Sequence, residues 1–390
     1  MQTELLKNKA AIAGIGATEF SKRSGRTELR LAVEAVKIAL DDAGLSPAEV
    51  DGMASFTMDN SSENEIFRNI GGKDLKFFAR VPYGGGAACA PLLLAAMAVA
   101  TGVARVVICY RGMNERSEYR FGRPFAGVAP TGDNVMIDYH TTHGLQTAAA
   151  MIAMATRRYM HETGAKIEDF GAVSVAARKH AATNPKAYFY RKPITIDEYL
   201  ASRPIADPIR LLDCCQESDG GVAVVITSAE HARSLRQRPA LIAAGAQASP
   251  WGTMGMTGFY REDVTYRPEM RLTANQLFAM AELKPPDIDV AILYDHFGPS
   301  VLMGLEAFGF CEWGEAKDFV KNGGIEIGGR LPVNTNGGQL GEAYIHGMNG
   351  IAEAVRQLRG TAVNQVPDAR HVLVTGGSGN PMSGAILSRE

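Results

Sequence analysis

Short apolar runs alternate with stretches of helical periodicity along most of this chain. Residues 10–16 (AAIAGIG) form a brief apolar run closed by glycine, the pattern of a buried strand. Thr27 then offers a side-chain cap to a helix with apolar positions at Leu31, Ala35, Ile38 and Ala39, ending at Gly44. Residues 50–56, 76–81 and 105–110 (RVVICY) read as further strands. Between the last two, Gly84 to Gly86 lead into an almost wholly apolar helix that stops at Gly102. A helix with no polar face is expected to be buried on every side.

After an excursion rich in Arg, Gly, Pro and Thr, helical periodicity returns over 146–164 and 167–180, with a short helix near 197–200. Residues 221–227 (GVAVVIT) make another strand. A charged segment at 230–239 follows, and then the order of elements starts again. Residues 240–245 echo 10–16. Helices at 273–283 and 300–308 bracket a strand at 290–294. The helix after Gly350, its stop at Gly360 and the strand 371–376 repeat the earlier order of buried helix, glycine, strand; 385–388 is a last strand. This order predicts an α/β protein built from two related halves, 1–235 and 236–390, the first carrying an insertion over about 113–205. A site between the halves is the expected consequence.

Composition narrows the function classes. Hydrophobic residues are 46% and charged residues 21% of the 390, with a net charge of -2 and no basic run. Nucleic acid and anionic membranes are therefore poor partners. The N-terminus lacks a secretion-signal pattern, and no apolar run is long enough to span a bilayer. The five cysteines are odd in number and form no C-x-x-C pair, which points to a reducing, cytoplasmic setting without structural zinc.

Four loops hold the candidate chemistry: 83–88, 294–300 (Y-D-H-F-G-P-S), 334–347 and 375–379 (T-G-G-S-G). Their glycines allow close backbone approach to a ligand, and Tyr344 stands out among small residues in the third. Asp138, His140 and His143 in the excursion lack the spacing that a defined metal site demands. Met254, Met256, Phe259 and Tyr260 form an apolar, glycine-rich loop suited to walling a hydrophobic pocket, meeting a partner, or plain burial.

The order of these loops resembles the thiolase superfamily, in its sterol-carrier or lipid-transfer branch. R-R-Y-M-H-E-T-G at 157–164, Asn184-Pro185 after a helix, and S-D-G-G-V-A-V-V-I-T-S from Ser218 carry the likeness. It implies the thiolase fold, two αβαβα-layered halves. Matched residue by residue, the thiolase nucleophile falls at Gly85, with Cys89 about one turn further in as a core contact. Thr375 takes the place of the second cysteine, Tyr344 that of the histidine, and Tyr294 heads the motif that usually starts with Asn or His. A thiolase needs a thiolate to carry its acyl group. Without one, retro-aldol cleavage of a β-hydroxyacyl-CoA remains open, since it needs only proton transfer and enolate stabilisation.

The pattern resembles the aldolases of bacterial steroid side-chain degradation, which split a tertiary β-hydroxyacyl-CoA into a ring ketone and a short acyl-CoA such as propionyl-CoA. On that likeness Tyr294 and Tyr344 are the expected acid and base, and Gly85, Gly86 and Gly377 the expected backbone donors to the thioester oxygen. His296 and His346 either tune the tyrosines or are ordinary hydrogen-bonded histidines, and Asp295 is a structural acceptor rather than a base. The likeness also implies a homodimer, a separate DUF35 chain (OB fold plus zinc ribbon) of the kind found in an acyl-CoA hydratase, no metal, and no cofactor beyond the substrate's CoA thioester. Two rivals remain: a thiolase or acyltransferase using Cys89, and a non-catalytic subunit that binds acyl-CoA or lipid and scaffolds a partner.

Overall fold

The computed structural model describes residues 5–390 apart from 57–60, 82, 119, 121, 124–139, 253–260 and 380. Asp138 and the apolar loop carrying Met254, Met256, Phe259 and Tyr260 thus lie outside the described residues.

Among the described residues eleven strands alternate with helices: β1 (Ala10–Ala17), β2 (Gly52–Phe56), β3 (Phe77–Val81), β4 (Val106–Asn114), β5 (Pro204–Ala206), β6 (Ile209–Arg210), β7 (Asp219–Ser228), β8 (Ala240–Ala248), β9 (Val290–Ile292), β10 (His371–Thr375) and β11 (Met382–Arg389). The helices of eight or more residues are α1 (Glu28–Ala43), α2 (Glu63–Ile70), α3 (Ala90–Ala100), α4 (Ala148–Thr163), α5 (Ile167–Thr183), α6 (Pro268–Ala281), α7 (Gly298–Ala307) and α8 (Met348–Arg359). Local signals set many of their ends. The Thr27 side chain accepts from the Arg30 N–H, and Gly44, in the left-handed region, closes α1. Pro268 starts α6 five residues earlier than periodicity suggests, because proline is pre-shaped for the first turn.

Nine strands form one sheet in the order β3-β2-β4-β7-β1-β8-β11-β10-β9. Read outward from the β1–β8 junction, the order and sense repeat on both sides. β1 and β8 each flank an antiparallel strand (β7, β11), then β4 or β10, then a parallel neighbour (β2, β9). The junction itself is short, pairing Ala11 with Leu241 and Ile12 with Ala240. α3 and α8 pack against strands of both half-sheets and share one apolar core with their inward faces. α1 and α2 cover the outer face of the first half, and α6 and α7 that of the second. The result is the five-layered α/β/α/β/α arrangement.

The central helix α3 departs from the expectation of all-round burial. Most of it is buried, but Met97 is 45% exposed. Beside it runs β3, a sheet edge whose Phe78 is 59% exposed. Ile38, placed among the apolar positions of α1, also faces outward, the buried stripe being carried by Leu31, Ala32, Ala35, Val36, Ala39 and Leu40.

The insertion folds back onto the second half. Tyr159 on α4 is buried and donates its hydroxyl to Glu306 of α7 at 2.6 Å. Asn184, at the end of α5, donates its amide to the Asn336 carbonyl and to Glu342, both at 3.1 Å. The motifs around these residues therefore serve architecture: the first ties α4 to α7, and the second anchors the loop that carries Tyr344.

Candidate active site

Tyr294 lies two residues beyond the end of β9, and Thr375 ends its parallel neighbour β10. The carboxyl ends of parallel strands are where open α/β sheets present chemistry. The Tyr294 backbone N–H donates to Thr375 Oγ1 at 2.9 Å, so the residue in the second cysteine's place fixes the tyrosine's backbone. Tyr344 lies in the loop between the turn Gly338–Gly341 and α8, its N–H bonded to Ser218 Oγ at 3.1 Å. The two phenols meet with the Tyr294 hydroxyl donating to that of Tyr344 at 3.1 Å, the rings edge to face with centroids 6.3 Å apart. Both side chains are buried.

Glycines make this meeting possible. A β-carbon at Gly85 would overlap the Tyr294 hydroxyl and ring, while one at Gly377 would lie 3.0 Å, and one at Gly347 3.1 Å, from that ring. The phenol thus occupies the volume of any side chain at Gly85, the position matched to the thiolase nucleophile. Cys89 stands at the amino-terminal cap of α3, not a turn inside it. It is fully buried, its Sγ near the Val374 carbonyl at 3.7 Å, and burial pushes its thiol up to about 12.

The expected oxyanion donors divide. The Gly377 N–H is bonded to the Gly85 carbonyl at 2.8 Å, which takes it out of that role. The cause is close approach of the two glycine loops, each without a side chain to hold them apart. Gly86 belongs to the short turn Gly85–Ala87, its carbonyl accepting from Ser383 Oγ at 2.6 Å, so its acceptor locks the loop to β11.

Asp295 is an acceptor, as its neighbours require. It receives the Gln339 N–H at 2.8 Å and the Leu340 N–H at 3.3 Å, and so pins the turn Gly338–Gly341. Gly338 has φ 62° and no room for a β-carbon beside the Asp295 carboxylate, so only glycine fits. Burial lifts the Asp295 carboxyl to about 6, against the opposing pull of those N–H bonds. Glu342, fully buried, gathers the amides of Asn184, Asn336 and Asn349 and fixes the next turn of the same loop.

The two histidines sit differently. The His296 ring packs 5.1 Å from that of Tyr294, neither nitrogen has a partner in hydrogen-bond geometry among the described residues, and burial lowers its pKa to about 3. His346 accepts at Nδ1 from Nε of Arg111 at 3.2 Å and lies edge-on to Tyr344 at 5.1 Å. Burial, aided by the Arg111 charge, holds it well below the usual histidine range. Both imidazoles are neutral.

Two titratable residues, Arg111 within β4 and Glu115 just past its end, interact electrostatically with the tyrosines and escaped the sequence reading. The signal was there: Arg111 interrupts an apolar strand one residue beyond its predicted end. Burial pushes the Glu115 carboxyl up to about 9, with Glu217 adding to the shift, so it is protonated near neutrality. In an unfolded chain it ionises near 4.5. The folded state gains relative stability below that value and loses it as pH rises towards 9. Glu115→Gln, which does not titrate, is therefore expected to gain stability over the parent from pH 5 to pH 9 and to level off above. The slope is at most about 1.4 kcal/mol per pH unit. Urea unfolding of both proteins across that range reads the difference; a flat difference would remove the buried-carboxyl assignment.

Among the described residues no group of three or more His, Cys, Asp or Glu is placed to hold a metal ion, and no helix is long and apolar enough to cross a membrane. His140 is buried and His143 exposed.

A five-layered fold whose central site carries phenols where a thiolate is expected defines a thiolase-like enzyme with altered chemistry. The thiolase C-terminal domain-like family model matches residues 252–389. The chain is 59% identical over 385 residues to the 17-hydroxy-3-oxo-4-pregnene-20-carboxyl-CoA lyase of Mycobacterium tuberculosis, covering 98% of this chain and all of the other. It is 58% identical to the steroid side-chain-cleaving aldolase of Thermomonospora curvata, covering 99% of each. The solved Ltp2-ChsH2(DUF35) aldolase superposes with a TM-score of 0.94 at 58% identity, over 99% of both chains. The chain belongs to the thiolase superfamily, among its steroid side-chain-cleaving aldolases.

Proposed function

We propose that this chain cleaves a steroid β-hydroxyacyl-CoA by retro-aldol chemistry, taking a side chain with a tertiary 17-hydroxyl to a ring ketone and a short acyl-CoA such as propionyl-CoA. The observation that carries the reading is the pair of buried phenols 3.1 Å apart in the place of the thiol. The names of the two close relatives, a pregnene-carboxyl-CoA lyase and a steroid side-chain-cleaving aldolase, support the substrate class.

In the proposed cycle Tyr344 acts as phenolate and takes the β-hydroxyl proton. The Cα–Cβ bond breaks, its electrons pass into the thioester as an enolate, and the oxygen becomes the ketone. Tyr294 then protonates Cα. One proton crossing from the Tyr344 hydroxyl to the Tyr294 phenolate, over the 3.1 Å between them, restores the starting state. Substrate supplies every atom of both products, and no cofactor enters.

The partner reading rests on two supports. The related aldolase was solved with a chain named ChsH2(DUF35). The free edge β3, with exposed Phe78, Tyr83 and Met97 beside it, offers an apolar face for a second copy. Five unpaired cysteines fit a cytoplasmic setting.

The deciding experiment is to co-express the chain with a DUF35 partner and follow 17-hydroxy steroid acyl-CoA by mass spectrometry. Ketone and acyl-CoA are expected in equal amounts; absence of cleavage with the partner bound would favour the scaffold reading instead. In the same assay Cys89→Ala is expected to retain turnover within about threefold, because a thiol so buried supplies no thiolate. A covalent acyl group trapped on Cys89 would revive the thiolase reading.

A further inference from the structure

The proposed cycle starts from an ionised phenol, yet burial pushes both tyrosines well above the usual range. Something in the site must hold the negative charge. We propose that Arg111 is the positioning residue for the tyrosine pair: it sets a fixed cation beside both phenols and locks His346, as the neutral Nε2–H tautomer, edge-on to Tyr344. This rests on the retro-aldol reading and names the group that makes its base available.

The geometry is specific. Arg111 lies on β4, opposite Val222 of β7, with 2% of its surface exposed. Its Nε donates to Nδ1 of His346 at 3.2 Å, which requires an unprotonated Nδ1 and leaves the ring proton on Nε2. The imidazole is then clamped between Tyr344, centroids 5.1 Å apart at 76°, and Phe56 at 6.0 Å. His346 itself takes φ 49°, a left-handed backbone unusual for a residue with a side chain and the sort of strain that gathers at functional sites.

Several groups act on the guanidinium, Glu28 more strongly than either phenol. Glu28 at the start of α1 is its carboxylate neighbour, and burial raises that group's pKa. Glu115, just past the end of β4, is held neutral near pH 7. Glu217 pairs with Arg120 at 2.7 Å. Lys22, after β1, is lowered to about 8 by burial, and the Cys215 thiol is raised well above its ordinary value by burial. His296 and His346 are neutral. Arg111, brought down by burial only to about 10, keeps its charge, and among its electrostatic partners both tyrosines follow directly after Glu28.

The sign follows. A cation favours phenolate, so removing it raises the pH at which the pair ionises and moves the rising limb of the pH–rate profile the same way. The test uses the full chain co-expressed with its DUF35 partner, as parent, Arg111→Gln, Arg111→Met and Arg111→Lys. Near-ultraviolet phenolate absorbance is titrated against pH, and each form is paired with one that also carries Tyr344→Phe, so that the difference isolates the site. We expect the midpoint to rise by at least about one pH unit in Arg111→Gln and Arg111→Met, at least half of the shift to be recovered in Arg111→Lys, and the kcat/KM profile to move in parallel.

A folded Arg111→Gln or Arg111→Met whose midpoint and profile stay at the parental pH would overturn the proposal. So would an equal rise in Arg111→Lys, which would mean packing rather than charge. Two neutral variants keep the test open where one does not fold. Should no form of the protein cleave a β-hydroxyacyl-CoA, the lyase reading falls, and the absorbance titration still decides the role of Arg111.

Discussion

Tyr344→Phe and Tyr294→Phe are each expected to lower kcat for β-hydroxyacyl-CoA cleavage by about 10²–10⁴, the scale for losing one acid or base, with the melting temperature close to the parent's. Phenylalanine keeps the ring that packs in the glycine cradle and deletes only the oxygen. Among the described residues neither hydroxyl has a second hydrogen-bond partner that would hold the ring in place, so the fold has little to lose. The two changes should not add. Once one hydroxyl is gone the proton cannot cross between the phenols, and the other loses its role in the cycle. The double variant is expected within about tenfold of the worse single one, the behaviour of groups that act as a unit. Single-turnover cleavage, followed by quantifying ketone, reads all three. Parental rates in both single variants would end the two-tyrosine mechanism.

Gly85→Ala is expected to be nearly as damaging without touching a reacting group. A methyl at Gly85 overlaps the hydroxyl and Cζ of Tyr294, whose ring is walled on its other sides by Gly377 and Gly347. The ring has to move, and displacing a reacting atom by about an ångström costs on the order of 10² in rate. We expect kcat to fall at least that far. Gly84→Ala is the contrast: its β-carbon would meet nothing closer than the His346 ring at 3.7 Å, an ordinary contact. Its kcat should stay within about threefold of the parent's, given that surface-like changes without a clash are usually mild. Equal losses in the two variants would show that loop flexibility, not the volume of the phenol, governs the site.

How much of this was legible in the sequence follows from what each residue answers to. The buried strands and helices were readable because apolar runs such as 221–227 report burial on both faces, and their glycine stops mark where the chain must turn. The repeating element order was readable too, as the strand order on either side of the β1–β8 junction is equally regular. Met97 was misread because periodicity cannot tell a helix buried by its own chain from one left open beside a sheet edge. In the site, where the structure brings the two phenols together, the tyrosines were picked out through their place in a motif. Arg111 and Glu115 were not, since a charge at the end of an apolar strand looks like the strand's exit to solvent until the fold shows that the exit is closed. Gly377 was assigned a donor role that its contact with Gly85 removes, and pairings between loops almost three hundred residues apart leave no local trace.

The overlap between position 85 and the Tyr294 ring also constrains how such a protein can change over generations. A cysteine placed at 85 alone would evict the phenol, and an asparagine placed at 294 alone would leave a hollow beside a glycine, so each single change forfeits the phenolic pair without supplying a thiol site. The two positions behave as one heritable unit with two settings.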